Sequence, residues 1–169
     1  MAQRHIHYDH AFEQYLRDRA IPYIAVDEAK RALQNTHPPS SLKSFDFVAY
    51  SQQGANLLID VKGRKHTGKS RKSFDNWVTL GDVESLEKWE QLFGAGFTGL
   101  FAFLYWCQEP PADALFQETF SCGDRWYAVL GVKLSDYKAH MKRRSPKWET
   151  VCLPAKNFAE IARPLRELI

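Results

Sequence analysis

Short apolar segments separated by polar turns run through the middle of the chain. Residues 45–50 and 56–62 are two such segments, and the polar link between them contains Gly54, as in a β-hairpin loop. Residues 97–106 are almost entirely apolar and β-prone, which predicts a strand buried on both faces. Two further strands are predicted over residues 23–26 and 125–132. The pattern therefore predicts a central sheet.

Apolar residues at helical spacing flank these strands. We expect helices over residues 8–20, 82–93, 135–144 and 157–168, and a short helical turn over residues 27–33. Asp82 and Ser135 are candidate N-caps, Pro22 ends the first helix, and Pro164 bends the last one. The remaining connections are polar, at residues 36–41, 63–76 and 109–124. This order of elements predicts a mixed α/β sheet with helices on both faces.

Size and composition indicate one ordinary globular domain. The chain has 169 residues, 44% of them hydrophobic and 25% charged, so we expect a single domain over residues 1–169. Its three cysteines are widely spaced without a CxxC pair, which argues against a disulfide framework or a zinc site. Because neither a signal peptide nor a long apolar run is visible, we expect a cytoplasmic protein with no membrane partner.

The strongest chemical pattern lies in the predicted hairpin. Alternate residues of a strand share a face, so Asp60 and Lys62 point the same way. If Tyr50 pairs with Asn56 across the loop, the same register places Asp46 directly opposite Asp60. Opposed carboxylates repel each other and are costly to bury, unless a cation compensates them. Mg²⁺ is a suitable cation, because one or two carboxylates, water and phosphate commonly hold it.

A structural alternative stays open for the same residues. Asp46 and Asp60 would then cap strand ends or form salt bridges with Lys62 and Arg64. Two carboxylates and Asp-x-Lys on facing strands favour the metal interpretation over this one.

These residues resemble the motif of the PD-(D/E)XK nuclease superfamily, which has a Glu in the first helix, an Asp on one strand and Asp-x-Lys on the next. The corresponding residues are Glu13, Asp46 and Asp60-Val61-Lys62, and Asp9 is a weaker substitute for Glu13. The chain is most similar to Holliday junction resolvase-like and type IV restriction-like members.

The resemblance covers residues 8–105 and includes departures from the family pattern. Phe45 stands where the family has proline, and residues 26–44 form an extra segment before the acidic strand. Many members carry a Gln or Lys on the next helix, and several residues here are candidates for that role: Glu84, Glu87, Lys88 and Gln91.

The resemblance implies a restriction endonuclease-like fold in α-β-β-β-α-β order and an endonuclease that depends on Mg²⁺ or Mn²⁺. Asp46, Asp60 and the Val61 carbonyl would hold the metal, and Glu13 would reach it through water. Lys62 would orient the attacking water or stabilise the transition state. DNA is the implied substrate. Members of this fold often act as dimers, so a homodimer is a possible assembly for this chain.

Basic residues follow the motif closely. Residues 62–72 contain six Lys or Arg, which is typical of an arm that contacts DNA phosphates and also of a solvated loop. The candidate phosphate ligands are Arg64, Lys65, Lys69, Arg71 and Lys72. A second basic cluster either extends this surface or complements the end of a helix, and it comprises Lys138, Lys142, Arg143, Arg144 and Lys147.

Two other functions remain open from the sequence. One is a non-catalytic nucleic-acid-binding module on the same fold, and the other is a protein-interaction domain. His5, His7 and His10 lack the spacing of a metal site and are expected to be structural.

Overall fold

The computed structural model describes residues 3–26, 42–52, 54–66, 74–109 and 117–169. Its helices are α1 (Gln3–Asp18), α2 (Leu80–Phe93), α3 (Leu134–His140) and α4 (Ala155–Ile161), with a 3-10 helix at Leu165–Glu167. Its strands are β1 (Tyr23–Ala25), β2 (Phe47–Ala49), β3 (Asn56–His66), β4 (Val78–Thr79), β5 (Phe97–Cys107), β6 (Thr119–Cys122), β7 (Arg125–Lys133), β8 (Lys142–Ser145), β9 (Thr150–Cys152) and β10 (Arg163–Pro164).

Two sheets organise these strands. The larger has seven strands in the order β1-β2-β3-β5-β7-β10, and β6 also pairs with β7. Only the β3–β5 pair of the larger sheet is parallel among the described strands, and α2 provides the connection between them. The smaller sheet has the order β4-β9-β8. The predicted mixed α/β architecture is confirmed.

The register of the β2–β3 hairpin agrees with the sequence prediction. Phe47 pairs with Ile59 and Ala49 pairs with Leu57, which is the register expected from the pairing of Tyr50 with Asn56. Asp46 lies one residue before β2, and its N–H donates to the Ile59 carbonyl at 2.8 Å. Asp46 thus binds the residue with which Phe47 pairs, so the regular register ends at Phe47 while Asp46 stays against β3.

The larger sheet buries an apolar cluster on each face. On one face α1 packs Phe12 and Leu16 against Phe47 and Ile59. On the other face α2, α3 and α4 cover the alternate residues of the same strands, including Leu58 and Phe103. Because Asp60 and Lys62 alternate with Ile59 and Val61, they lie on the α2 face.

Several predicted elements are corrected at their ends. The predicted loop over residues 63–76 begins with strand, since β3 continues to His66 in parallel register with β5. The predicted helix over residues 135–144 ends at His140, and β8 follows it. Arg143 and Arg144 therefore belong to a strand, and their interpretation as a helix C-terminus is wrong.

Two other connections also contain strands that the pattern did not predict. The predicted irregular segment over residues 109–124 includes β6. The last helix ends at Ile161, because a residue before Pro164 is disfavoured in helical geometry, and β10 replaces the predicted continuation. The predicted turn over residues 27–33 and the loop over residues 36–41 lie outside the described residues.

Candidate functional site

Asp46 lies directly before β2, and Asp60 lies near the middle of the neighbouring strand β3. Asp60 is buried, with 7% of its surface exposed. One oxygen of Asp46, Oδ2, accepts the Val61 N–H at 2.7 Å. Because the N–H and C=O of a strand residue face the same neighbour, the Val61 carbonyl also points to the side of Asp46. Two carboxylates and one carbonyl therefore face one region at the end of β2.

Lys62 lies between two carboxylates on the α2 face. Its Nζ is 2.9 Å from Asp60 Oδ1 and 3.1 Å from Asp82 Oδ2. The Lys62 side chain is 17% exposed, so these contacts are partly shielded from solvent screening. Asp82 comes from the first turn of α2 and joins the helix to the candidate site.

The local fold holds Asp82 through a capping box. Thr79, the N-cap of α2, accepts the Asp82 N–H at 3.1 Å, and Asp82 accepts the Thr79 N–H at 2.9 Å. Asp82 is thus the third residue of the helix, and the prediction that it is the N-cap is wrong. The motif Thr-x-x-Asp is visible in the sequence and could have located the cap at Thr79.

Lys43 completes this network from the segment before β2. Its Nζ lies 2.8 Å from Asp82 Oδ1 and 2.7 Å from Thr79 Oγ1. Its backbone N–H donates to Ser85 at 3.0 Å, and its carbonyl accepts the Trp89 indole N–H at 2.9 Å. No motif in the sequence marks Lys43, because its partners are all distant along the chain.

The ionisation of the cluster follows from burial and charge. Burial raises the pKa of Asp60, Lys62 lowers it, and the charges of Asp46 and Asp82 raise it further, so that the net shift is upward. Burial also acts to raise the pKa of Asp82, but Lys62, Lys43 and Thr79 outweigh it and lower the pKa to about 2. At neutral pH Asp82 is therefore the carboxylate that balances Lys62.

Lys62 itself remains an ammonium at neutral pH. Burial lowers the pKa of Lys62, but the charges of Asp60 and Asp82 outweigh burial and raise it. A lysine in this state donates hydrogen bonds and stabilises negative charge, and it does not serve as a general base.

The donor set fits a hard divalent cation better than a softer metal. Within the described parts of the chain, no group of three or more His, Cys, Asp or Glu side chains could hold a metal ion. Asp46, Asp60 and the Val61 carbonyl offer only oxygen, which suits Mg²⁺ or Mn²⁺ with water and substrate oxygens as further ligands. The raised pKa of Asp60 is consistent with this fit, since a cation would favour its charged form.

Glu13 lies away from this cluster. Its Oε1 accepts hydrogen bonds from Arg17 at 3.0 Å and from the Tyr23 hydroxyl at 2.7 Å. Helix α1 covers the face of the sheet opposite to Asp60. A role for Glu13 at a metal would require its carboxylate to leave both partners. Asp9 lies nearer the end of β3, because its neighbour Tyr8 packs against Gly63.

The predicted phosphate ligands divide into different environments. Arg64 is half-buried, donates to the carbonyls of Gly63 and Trp77, and lies 4.2 Å from the centre of the Trp77 ring. Lys65 is exposed, and its Nζ lies 5.2 Å from the Trp106 ring. The other candidates, Lys69, Arg71 and Lys72, lie outside the described residues.

The remaining candidates contact other parts of the fold. Glu87 forms an ion pair with Lys138, and Glu84, Lys88 and Gln91 are not among the residues that contact Lys62. His7 contacts the Tyr127 hydroxyl at 3.0 Å, and His10 contacts Cys122 at 3.7 Å. The side chain of His5 lies outside the described part of the structure. Cys107, Cys122 and Cys152 are free thiols.

Comparison with known proteins defines the fold class. This chain has a restriction endonuclease-like fold, with a mixed α/β sheet flanked by helices. A similar solved structure is that of Archaeoglobus fulgidus Hjc, a Holliday junction resolvase from an archaeal hyperthermophile. The two share 15% sequence identity with a TM-score of 0.57, over 96% of this chain and 98% of Hjc. At this identity the likeness establishes the fold alone.

Comparison of the sequence with family models and with curated proteins does not assign the chain to a family. No family model matches the chain, and no curated protein sequence matches it. None of the described helices is long and apolar enough to cross a membrane. Any activity must therefore be argued from the site.

Proposed function

We propose that this chain is a metal-dependent endonuclease of the PD-(D/E)XK type, which hydrolyses phosphodiester bonds in DNA. The observation that carries the proposal is that Asp46 accepts the Val61 N–H beside Asp60, and that Lys62 forms an ion pair with Asp60 on the same face of β3. This arrangement occurs in a fold that the chain shares with a resolvase.

Each residue of the cluster has a distinct role in this proposal. Asp46, Asp60 and the Val61 carbonyl would hold Mg²⁺ or Mn²⁺. The bound cation would supply Lewis acidity and a water of lowered pKa. Lys62, as an ammonium, would donate to the phosphate oxygen on which negative charge develops. Asp82 holds Lys62 in place, and Lys43 holds Asp82.

Asp82 gives Lys62 a partner that does not depend on Asp60. Lys62 Nζ lies 3.1 Å from Asp82 Oδ2. If Asp60 held a metal, Asp82 would still pair with the Lys62 ammonium and position it. Asp82 is thus a positioning residue in this proposal, although it comes from a different element than the Asp-x-Lys motif.

A gel assay tests the proposal directly. Labelled duplex, single-stranded and four-way-junction DNA would be incubated with Mg²⁺, Mn²⁺ or EDTA, with Asp60→Asn beside the unmodified chain. We expect cleavage that requires a divalent cation and falls by about 10³-fold in Asp60→Asn, because the variant loses a metal ligand. DNA binding in EDTA should persist in the variant.

A matched substitution separates this effect from general damage. Asp136→Asn removes an exposed carboxylate of α3 and should leave cleavage unchanged. Equal cleavage by Asp60→Asn and the unmodified chain would refute the site. DNA binding without cleavage on every substrate would favour the non-catalytic nucleic-acid-binding module.

The quaternary state follows from the proposed class only as a prediction. Proteins of this fold that cut two strands often act as symmetric pairs, so we expect a homodimer on DNA. Analytical ultracentrifugation of the chain with and without junction DNA would test it, and a monomer in both conditions would contradict it.

A further inference from the structure

A basic hairpin forms one edge of the small sheet. Strands β8 and β9 form it, and the turn between them carries Lys147 and Trp148. Its cations are Lys142, Arg143, Arg144 and Lys147, and among the described residues none of them forms a salt bridge with a carboxylate. The Trp148 side chain is 69% exposed, and Lys147 Nζ lies 5.4 Å from its ring.

Backbone pairing and a hydrogen bond hold this hairpin in place. Trp148 is therefore exposed on an ordered turn. Strand β9 pairs with β8 on one side and with β4 on the other. Glu149 adopts a left-handed backbone with φ of 47°, and its carbonyl accepts the Leu80 N–H at 2.7 Å. A non-glycine residue in this region is maintained only where its surroundings require it. The turn therefore presents Trp148 at a defined position.

The hairpin is also connected to the candidate site. Leu80, which binds the Glu149 carbonyl, is the first residue of α2, two positions before Asp82. Arg144 lies 5.3 Å from the Trp77 ring on which Arg64 also packs, and Arg64 is two residues beyond Lys62 on β3. The hairpin is therefore in contact with residues that flank Asp82 and Lys62 in the chain.

We propose that the β8–β9 hairpin is a DNA-contact element, in which Arg143 and Lys147 bind backbone phosphates and Trp148 stacks on an unpaired base beside the site. This inference rests on the proposed function in taking DNA as the ligand, and it narrows the substrate to DNA that offers unpaired bases near the cut. Gaps and flaps share that property.

The chemistry of the hairpin favours this ligand over an apolar protein surface. Its unpaired cations complement a polyanion, and burial of them against an apolar partner would be unfavourable. Proteins commonly bind single-stranded nucleic acid through an aromatic ring beside cations. The cations bind the phosphates, and the ring stacks on a base, since every base has a face on which to stack. In a fully paired duplex the bases are stacked on each other, so the gain from Trp148 requires an unpaired base.

Binding measurements in EDTA separate these contributions from catalysis. The probes are a labelled duplex and the same duplex with a short single-stranded gap, each titrated with protein over a range of salt. The variants are Trp148→Ala, Trp148→Phe and Arg143→Gln/Lys147→Gln. Leu92→Ala, which removes an apolar side chain with 70% exposure, is the control for Trp148, and Lys133→Gln at the exposed end of β7 is the control for charge.

For Trp148 the expected result is selective. Trp148→Ala should weaken binding to gapped DNA by about tenfold and leave duplex binding within about twofold, and Trp148→Phe should restore most of the loss. The double charge variant should weaken both probes and reduce the salt slope by about two, or one for each lost phosphate contact. Leu92→Ala and Lys133→Gln should match the unmodified chain.

The outcomes distinguish this inference from the proposed function. If the unmodified chain binds and cuts DNA but the hairpin variants behave as their controls do, the hairpin assignment is overturned and the nuclease stands. If the hairpin variants lose binding as expected and no metal supports cleavage, the hairpin assignment stands and the nuclease fails. If the unmodified chain binds neither DNA probe at low salt, the hairpin assignment and the proposed nuclease are both overturned.

Discussion

Asp60 is the residue at which stability and proposed function oppose each other. Its carboxylate is buried near Asp46 and Asp82 and forms an ion pair with Lys62. Burial and the charges of Asp46 and Asp82 outweigh Lys62 and disfavour the charged form of Asp60, and a bound cation would remove this penalty. The sequence indicated Asp46, Asp60 and Lys62 because alternation fixes strand faces. It could not indicate Asp82 as their partner, since that contact depends on how α2 docks.

The raised pKa of Asp60 predicts a stability effect that depends on pH. A carboxyl whose pKa is higher in the fold than in the unfolded chain favours the fold below about pH 4, and this contribution is lost as the pH rises through its folded pKa. In EDTA, Asp60→Asn should therefore be more stable than the unmodified chain by about 2 kcal/mol at high pH. The gain should shrink towards zero as the pH falls to the acidic range.

Urea unfolding at a series of pH values measures this difference. Asp136→Asn, which removes an exposed carboxylate, should show no comparable gain. A loss of stability in Asp60→Asn at high pH would mean that its ion pair with Lys62 outweighs the cost of burial, and the charge balance argued for the site would be wrong.

Strand β3 carries three residues of the candidate site, Asp60, Val61 and Lys62. The sequence predicted only the first part of this strand. The register of its first half was predictable from the hairpin loop and the apolar alternation. Its last four residues, from Gly63 to His66, have the composition of a polar loop. They are nevertheless part of the strand, because β3 pairs in parallel register with eleven residues of β5. Tertiary pairing overrides local propensity here, as it does for β8.

Gly63 allows α1 to approach β3, and a side chain there should be costly. A Cβ at Gly63 would lie 2.3 Å from the Tyr8 ring, so α1 or Tyr8 must shift. We expect Gly63→Ala to lower the free energy of unfolding by about 2 kcal/mol, as overpacking does in other cores. Gly54→Ala is the matched control, because its nearest neighbour would be Ser51 Oγ at 3.9 Å. Equal stability of the two variants in urea would show that Tyr8 does not pack as described.

At the scale of the whole molecule, the ends of the chain meet on one sheet. Strand β10 pairs with β7, and Leu165 is fully buried in the cluster that α1 covers. Glu118 links the same parts, since it accepts the Tyr15 hydroxyl at 2.6 Å and the Arg166 N–H at 3.3 Å. Sequence analysis assigned no role to the acidic segment that contains Glu118, because its partners are far away along the chain.

Because β10 and α1 both pack on the larger sheet, we predict that residues 1–169 unfold as a single domain. Leu165→Ala should lower the free energy of unfolding by about 3 kcal/mol, since it leaves a cavity between α1 and β7. Because both ends contribute to one sheet, the loss should appear as a lower midpoint of a single transition, with equal calorimetric and van't Hoff enthalpies. Differential scanning calorimetry measures both quantities, with the exposed Leu92→Ala as the control. A second transition that moves independently of Leu165→Ala would show that the chain contains two cooperative units, and that the sheet does not couple its ends.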